Sequence, residues 1–247
     1  MESFRNWYFR DAAARWALGG ILAAIALFTA VAYAVRVGAT ETFDRHLLLA
    51  MRRPADLQPL GSRSFQEAAR DVTALGGSLV LVLVTGSTVG YLLLDEKRRM
   101  AGFVCVSVAT GWVATTLLKD LFERPRPEVV PHAMYVTTAS FPSGHSMRSA
   151  LVYLTLGTLL AQTHRRGRLQ VYFLLLASIL TLSIGASRVY LGVHWPTDVL
   201  AGWTGGAFWA LLCWITARFL QTRRSLEPPT KNVPGGPGSS EGSRPRH

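Results

Sequence analysis

Cysteine and charge are both scarce in this sequence. Only two cysteines occur among 247 residues, Cys105 and Cys213, and both lie inside apolar runs with no CxxC spacing. That excludes a disulfide scaffold, a thiol redox motif and a cysteine-ligated metal, and both thiols are expected to be small apolar core residues. Asp, Glu, Lys and Arg together make up 17% of the chain, well below the share usual in a soluble domain. The acids form no carboxylate cluster and no His/Cys ligand set of the kind that zinc, calcium or magnesium requires, so no metal and no other cofactor is expected. No internal repeat is evident.

What the chain has in quantity is apolar sequence, with 49% hydrophobic residues. Six runs approach the ~20 residues that cross a bilayer core: about Ala17–Val35, Val72–Leu94, Ala101–Leu118, Ser146–Thr163, Leu169–Ser187 and Pro196–Ala217. The expected fold is all-α, a polytopic six-helix transmembrane bundle over residues 1–225. The first run contains Ala32-Tyr33-Ala34, which looks like a signal-peptide cleavage site, but its apolar stretch is long for a signal, so an uncleaved anchor is expected. Residues 226–247, rich in Pro, Gly and Ser, cannot bury enough apolar surface to order themselves and are expected to form a disordered tail.

The net charge of +11 is unevenly placed. With six spans, the N-terminus, the second and fourth loops and the tail share one side, holding 15 of the 26 Lys and Arg residues against 6 acids. Asp95-Glu96-Lys97-Arg98-Arg99 and His164-Arg165-Arg166-Gly167-Arg168 are short basic turns of the kind retained in the cytoplasm, which puts both termini there. Because the basic clusters sit at span ends, the charge is read as membrane orientation plus contact with anionic lipid headgroups, and no nucleic-acid partner is expected. In the long loop from Arg36 to Asp71, Thr42–Met51 and Ser64–Asp71 read as short amphipathic helices, either on the membrane surface or over the bundle. Gly202 and Gly206 form a GxxxG expected to pack helices closely.

Ionisable groups near membrane depth require a reason, and here they fall on one face. The third run ends around Lys119, followed by Arg124 and Arg126. The fourth begins after Phe141-Pro142-Ser143-Gly144-His145-Ser146. The fifth ends at Ser187-Arg188, and the sixth starts just after His194-Trp195-Pro196-Thr197-Asp198. Pro142 and Ser143 fit a helix cap, and the N–H groups of a helix start fit an anion. Three cations, two histidines and that helix start suit an oxyanion with up to two charges. His194 and Asp198, four apart on one helix face, allow the carboxylate to fix the imidazole tautomer and leave the other nitrogen free to attack. Pro196 fits the first turn of that helix.

Lys119 with Arg126-Pro127, then Pro142-Ser143-Gly144-His145, then Ser187-Arg188 with His194 and Asp198, in this order and spacing, resembles the three-part signature of the type 2 phosphatidic acid phosphatase family, which is related to the vanadate-dependent haloperoxidases. The resemblance implies a metal-independent phosphatase acting through a phospho-histidine. His194 would be the nucleophile, Asp198 its orienting partner and His145 the general acid. Lys119, Arg126, Arg188, Ser143 and Gly144 would hold the phosphoryl group. Arg124 is no part of that signature and is expected to tolerate lysine. The haloperoxidases are soluble, and six apolar runs argue against that branch.

The implied function is a lipid phosphate or pyrophosphate phosphatase. Its expected substrate is undecaprenyl pyrophosphate, or phosphatidic acid or phosphatidylglycerol phosphate. The expected location is a bacterial inner membrane, with the site facing the periplasm. A lipid phosphotransferase using the same site, and a non-enzymatic transporter or scaffold, are the alternatives.

Overall fold

The structure, a computed structural model, describes residues 2–131, 138–164, 166–222 and 226, with side chains from residue 12 onward. The tail expected to be disordered lies, apart from Leu226, outside the described residues. The described residues form eight helices and no strand: α1 Glu2–Arg36, α2 Glu41–Ala50, α3 Arg63–Ala74, α4 Ser78–Leu94, α5 Arg98–Phe122, α6 Gly144–Thr163, α7 Gly167–Tyr190 and α8 Pro196–Thr222. The amphipathic segments of the long loop appear as α2 and α3, the latter capped by Ser62, whose side chain accepts from the Phe65 N–H.

Among the described residues, four helices are long and apolar enough to cross a membrane: α1 from Ala12, α5, α7, and α8 to Gln221. α3 and α4 meet that test only as a pair, bent by 48°. The second run, read from sequence as continuous from Val72, is therefore broken at Leu75–Gly77. Gly77 caps α4 in extended backbone. Gly76 presses against Ile184 and His145 where no side chain would fit. α6 falls short of the apolar test because its site-side turns carry His145, Ser146, Arg148 and Ser149.

α6 is the central helix, packed along its length against α7 and α8, while α1 covers α8 and α4 lies on α5. The GxxxG closes the α6–α8 contact as expected. A Cβ on Gly202 would lie 2.8 Å from the Ser143 carbonyl, and one on Gly206 would strike Ala150. Phe141, fully buried, joins the loop before α6 to the bundle, its ring 4.7 Å from that of Phe122 and 6.1 Å from that of Phe28. Aromatic contacts of this kind each contribute about 0.5–1.5 kcal/mol beyond area burial. The Phe141–Pro142 bond is cis. Of the two cysteines, Cys213 is buried as expected, but Cys105 lies exposed on α5. Large apolar side chains such as Leu22, Leu79, Leu117 and Ile179 also point outward, as a lipid-facing surface requires.

Candidate active site

The C-terminal ends of α5 and α7 and the N-terminal ends of α6 and α8 converge, and every residue singled out from the sequence lies there. The α7–α8 turn needs Gly192, whose φ is +77° and whose missing side chain leaves room for Arg52 and Val130. The turn delivers His194, 1% exposed, against the first turn of α8. His194 Nδ1 lies 3.3 Å from Asp198 Oδ2. That oxygen also accepts from the Trp195 backbone N–H at 2.9 Å and from the Ser140 hydroxyl. With Nδ1 protonated toward the carboxylate, Nε2 carries the lone pair, and it faces Arg126 Nη1 at 3.2 Å.

Three cations lie within electrostatic range of that ring. Arg126 is held by its Nε on the Thr138 carbonyl at 2.8 Å and by Nη1 on the Val193 carbonyl. Lys119, 8% exposed, donates to the Ala139 carbonyl at 2.6 Å. Arg188, 2% exposed, reaches Thr73 on α3 at 3.3 Å. Ser143 caps α6, its hydroxyl accepting from the Ser146 hydroxyl at 2.9 Å, and its own N–H donates to the Asp198 carbonyl at 2.9 Å. Gly144 is small because Lys119 passes it: a Cβ there would lie 3.1 Å from the Lys119 Cε. The first-turn N–H groups of α6 thus open beside the lysine, as an anion site requires. His145 packs on Gly76 at the α3–α4 break, within electrostatic range of Arg188 and His194.

Burial, and then the charges of Arg126, Arg188 and Lys119, hold the His194 imidazole well below its usual value, opposed by a Ser140 hydrogen bond. The ring is therefore neutral at neutral pH and available to attack. Burial also lowers Arg126, with Asp198 opposing.

Sequence reasoning missed a second carboxylate shell. Arg124, expected from its place outside the signature to tolerate lysine, bridges two fully buried acids. Its Nη1 lies 2.6 Å from Asp198 Oδ1 and its Nη2 lies 2.8 Å from Asp44 Oδ2 on α2. Asp44 in turn accepts from the Thr197 hydroxyl at 2.6 Å and the Thr197 backbone N–H at 2.9 Å. Trp195 completes the arrangement, its indole N–H donating to the Pro125 carbonyl at 3.1 Å. Asp44 precedes Asp198 by over a hundred residues, and no spacing rule could have joined them. The only sequence signal was an acid in the first turn of a short amphipathic helix.

Comparison with known proteins gives a consistent picture. The PAP2 superfamily profile matches residues 101–221. Phosphatidylglycerophosphatase B of Bacillus subtilis is 33% identical over 150 residues, covering 57% of this chain and 69% of that protein. Lipid A 1-phosphatase of Rhizobium etli is 28% identical over 186 residues, covering 66% and 72%. Undecaprenyl-diphosphatase of Sulfolobus acidocaldarius is 32% identical over 127 residues, covering 49% and 57%. The crystal structure of a transmembrane PAP2-type phosphatidylglycerolphosphate phosphatase from Bacillus subtilis superimposes with a TM-score of 0.68 at 25% identity, covering 81% of this chain and 96% of that one.

Proposed function

Since the chain belongs to the PAP2 superfamily, we infer that it is an integral membrane phosphatase hydrolysing a lipid phosphate or diphosphate through a phospho-histidine on His194. The observation that carries this reading is the buried His194, with Asp198 on one ring nitrogen and Arg126 facing the other.

In the proposed reaction the His194 Nε2 lone pair attacks phosphorus in line with the leaving oxygen. Lys119, Arg126, Arg188, the Ser143 hydroxyl and the Gly144 backbone N–H at the start of α6 bind the equatorial oxygens, whose charge they stabilise in the transition state. As the P–O bond breaks, His145 gives its proton to the leaving lipid oxygen. Water then attacks the phospho-histidine, His145 takes up its proton, and phosphate leaves. Asp198 holds the imidazole and offsets the charge it gains. Arg124 and Asp44 hold Asp198. The phosphoryl charge is met by side-chain cations, so turnover needs no metal.

The six spans of this reading are α1, the bent α3–α4 pair, α5, α6, α7 and α8, with α6 shielded from lipid by its neighbours. Residues 1–225 make up the membrane domain of this reading, and Leu226, placed in the tail by the sequence, is buried against the bundle with Leu92, Met100 and Ala217. The basic turns at Lys97–Arg99 and around Arg166 support a reading with both termini in the cytoplasm and the site on the periplasmic face of a bacterial inner membrane. The substrate classes are those in the names of the relatives, undecaprenyl diphosphate and phosphatidylglycerophosphate, together with phosphatidic acid. Purified full-length protein in detergent micelles, given each of these lipids, should release free phosphate in EDTA. Activity that vanishes in EDTA and returns with Mg²⁺ or Zn²⁺ would overturn the mechanism. Label passed to a lipid alcohol in preference to water would make the enzyme a phosphotransferase.

A further inference from the structure

Arg148 has no part in the chemistry above. It lies on α6 three residues after His145, on the same helix face and one turn, about 4.5 Å, further into the apolar body of the bundle. Its guanidinium stacks 4.4 Å from the Trp112 ring centroid on α5, and its Nε is buried with no hydrogen-bond partner. No carboxylate among the described residues pairs with it. Trp112 precedes Lys119 by two turns on the same face of α5, so Arg148 and Trp112 form the next layer beneath the Lys119–Gly144 contact. Arg148 lies within electrostatic range of both Lys119 and His145.

An unpaired cation at membrane depth marks a substrate path when it faces the bundle interior. A single monoester phosphate, carrying roughly −1.5 to −2 at neutral pH, is already met by Lys119, Arg126 and Arg188. A fourth cation calls for a further negative charge. Its place decides where that charge sits. The lipid tail must run from the site into the bilayer, and His145 faces the leaving oxygen, so a group one turn deeper than His145 lies on the leaving side of the bond that breaks.

Building on the phosphatase reading, we propose that Arg148 binds the lipid-side phosphate of a lipid diphosphate, so that the site is built for diphosphates in preference to monophosphates. His194 attacks the outer phosphorus, the bond to the bridging oxygen breaks, and His145 protonates that oxygen. The lipid monophosphate leaves with its remaining phosphate on Arg148, and water releases inorganic phosphate from His194.

The test compares initial phosphate release from a prenyl diphosphate and the matching prenyl monophosphate, in micelles, by the full-length wild type, Arg148→Gln and Arg148→Lys. The diphosphate-to-monophosphate ratio of kcat/KM should fall about 10- to 100-fold in Arg148→Gln, the scale of one charged hydrogen bond, and less in Arg148→Lys. Phosphatidylglycerophosphate, whose second phosphate stands a glycerol away, should show a smaller drop. A ratio that does not move overturns the assignment. Should the variants misfold, the wild type still decides. A prenyl methylenediphosphonate should inhibit at least about 10-fold more tightly than the prenyl monophosphonate, and equal inhibition overturns the proposal. A wild type inactive on every lipid phosphate would overturn the phosphatase reading itself, an outcome distinct from an active enzyme with no diphosphate preference.

Discussion

The two ends of the bundle share α5, α6 and α7 and bury opposite chemistry. At one end α5, α6, α7 and α8 enclose Lys119, Arg188, His194 and Asp198, with Arg124 and Asp44 behind them. Toward the other end α5, α6 and α7, with α4, border a groove of about 860 Å³ lined mainly by apolar residues such as Leu156, Leu160, Phe173 and Leu176. Polar groups in the first region are held in one arrangement by hydrogen bonds that a small displacement would lose, whereas packing in the second is non-directional. Substitutions at the site end should therefore cost rate, and those at the groove should cost little.

The sharpest contrast is expected at His194. His194→Ala removes the nucleophile and should lower lipid phosphate turnover by about 10⁴-fold or more, the scale seen when a nucleophile is deleted. Arg188→Lys should follow, losing roughly 10²-fold, because a point charge does not replace a planar fork on phosphoryl oxygens. A full-rate Arg188→Lys enzyme would remove Arg188 from the phosphate site.

Arg124 tests the outer layer of the site end. Lysine cannot span Asp44 and Asp198 together, so Arg124→Lys should lose about 10-fold in kcat. Arg124→Ala, which leaves two buried carboxylates unpaired, should also lose about 3–5 kcal/mol of stability. A double-mutant cycle with Asp44→Asn should show the two effects to be non-additive. Arg124→Lys at wild-type rate would restore the expectation, drawn from the sequence alone, that this position tolerates lysine.

That reversal shows where the sequence is legible. Helix existence followed from apolar runs and caps, and the converging residues followed from spaced motifs at span ends, because both signals are local. The break at Leu75–Gly77 was not legible: Gly76 and Gly77 are tolerable inside an apolar run until Ile184 and His145 are seen against them. The Arg124–Asp44–Asp198 bridge was hidden for the same reason, since it joins α2, a loop and α8 through tertiary contact alone. The stack of Arg148 on Trp112 was hidden likewise, since it joins α6 to α5 through tertiary contact alone.

Smaller effects are expected from pH and from the groove. His194 is held below its usual value of 6.5, so the nucleophile stays neutral as pH falls through 6.5, and the acid limb of kcat/KM should lie below that value. The same depression means the unfolded chain takes up a proton near pH 6.5 that the fold resists, so His194 should make stability fall as pH drops through that value. An acid limb at or above pH 6.5 would contradict the buried, cation-flanked imidazole. In the groove, Leu160→Ala should change the rate by less than about threefold on a short-chain lipid phosphate, since Leu160 is half exposed and remote from the site. A loss comparable to Arg124→Lys would erase the contrast between the two ends.

The central claim is that His194 carries the phosphoryl group, and rapid acid- or base-quench of the full-length enzyme with ³²P-labelled lipid phosphate tests it most directly. The expected result is a protein-bound label, acid-labile and base-stable, that maps to His194 in the wild type and is absent from His194→Ala. A labelled adduct that persists in His194→Ala, or turnover of that variant restored by a better leaving group such as p-nitrophenyl phosphate, would place the nucleophile elsewhere.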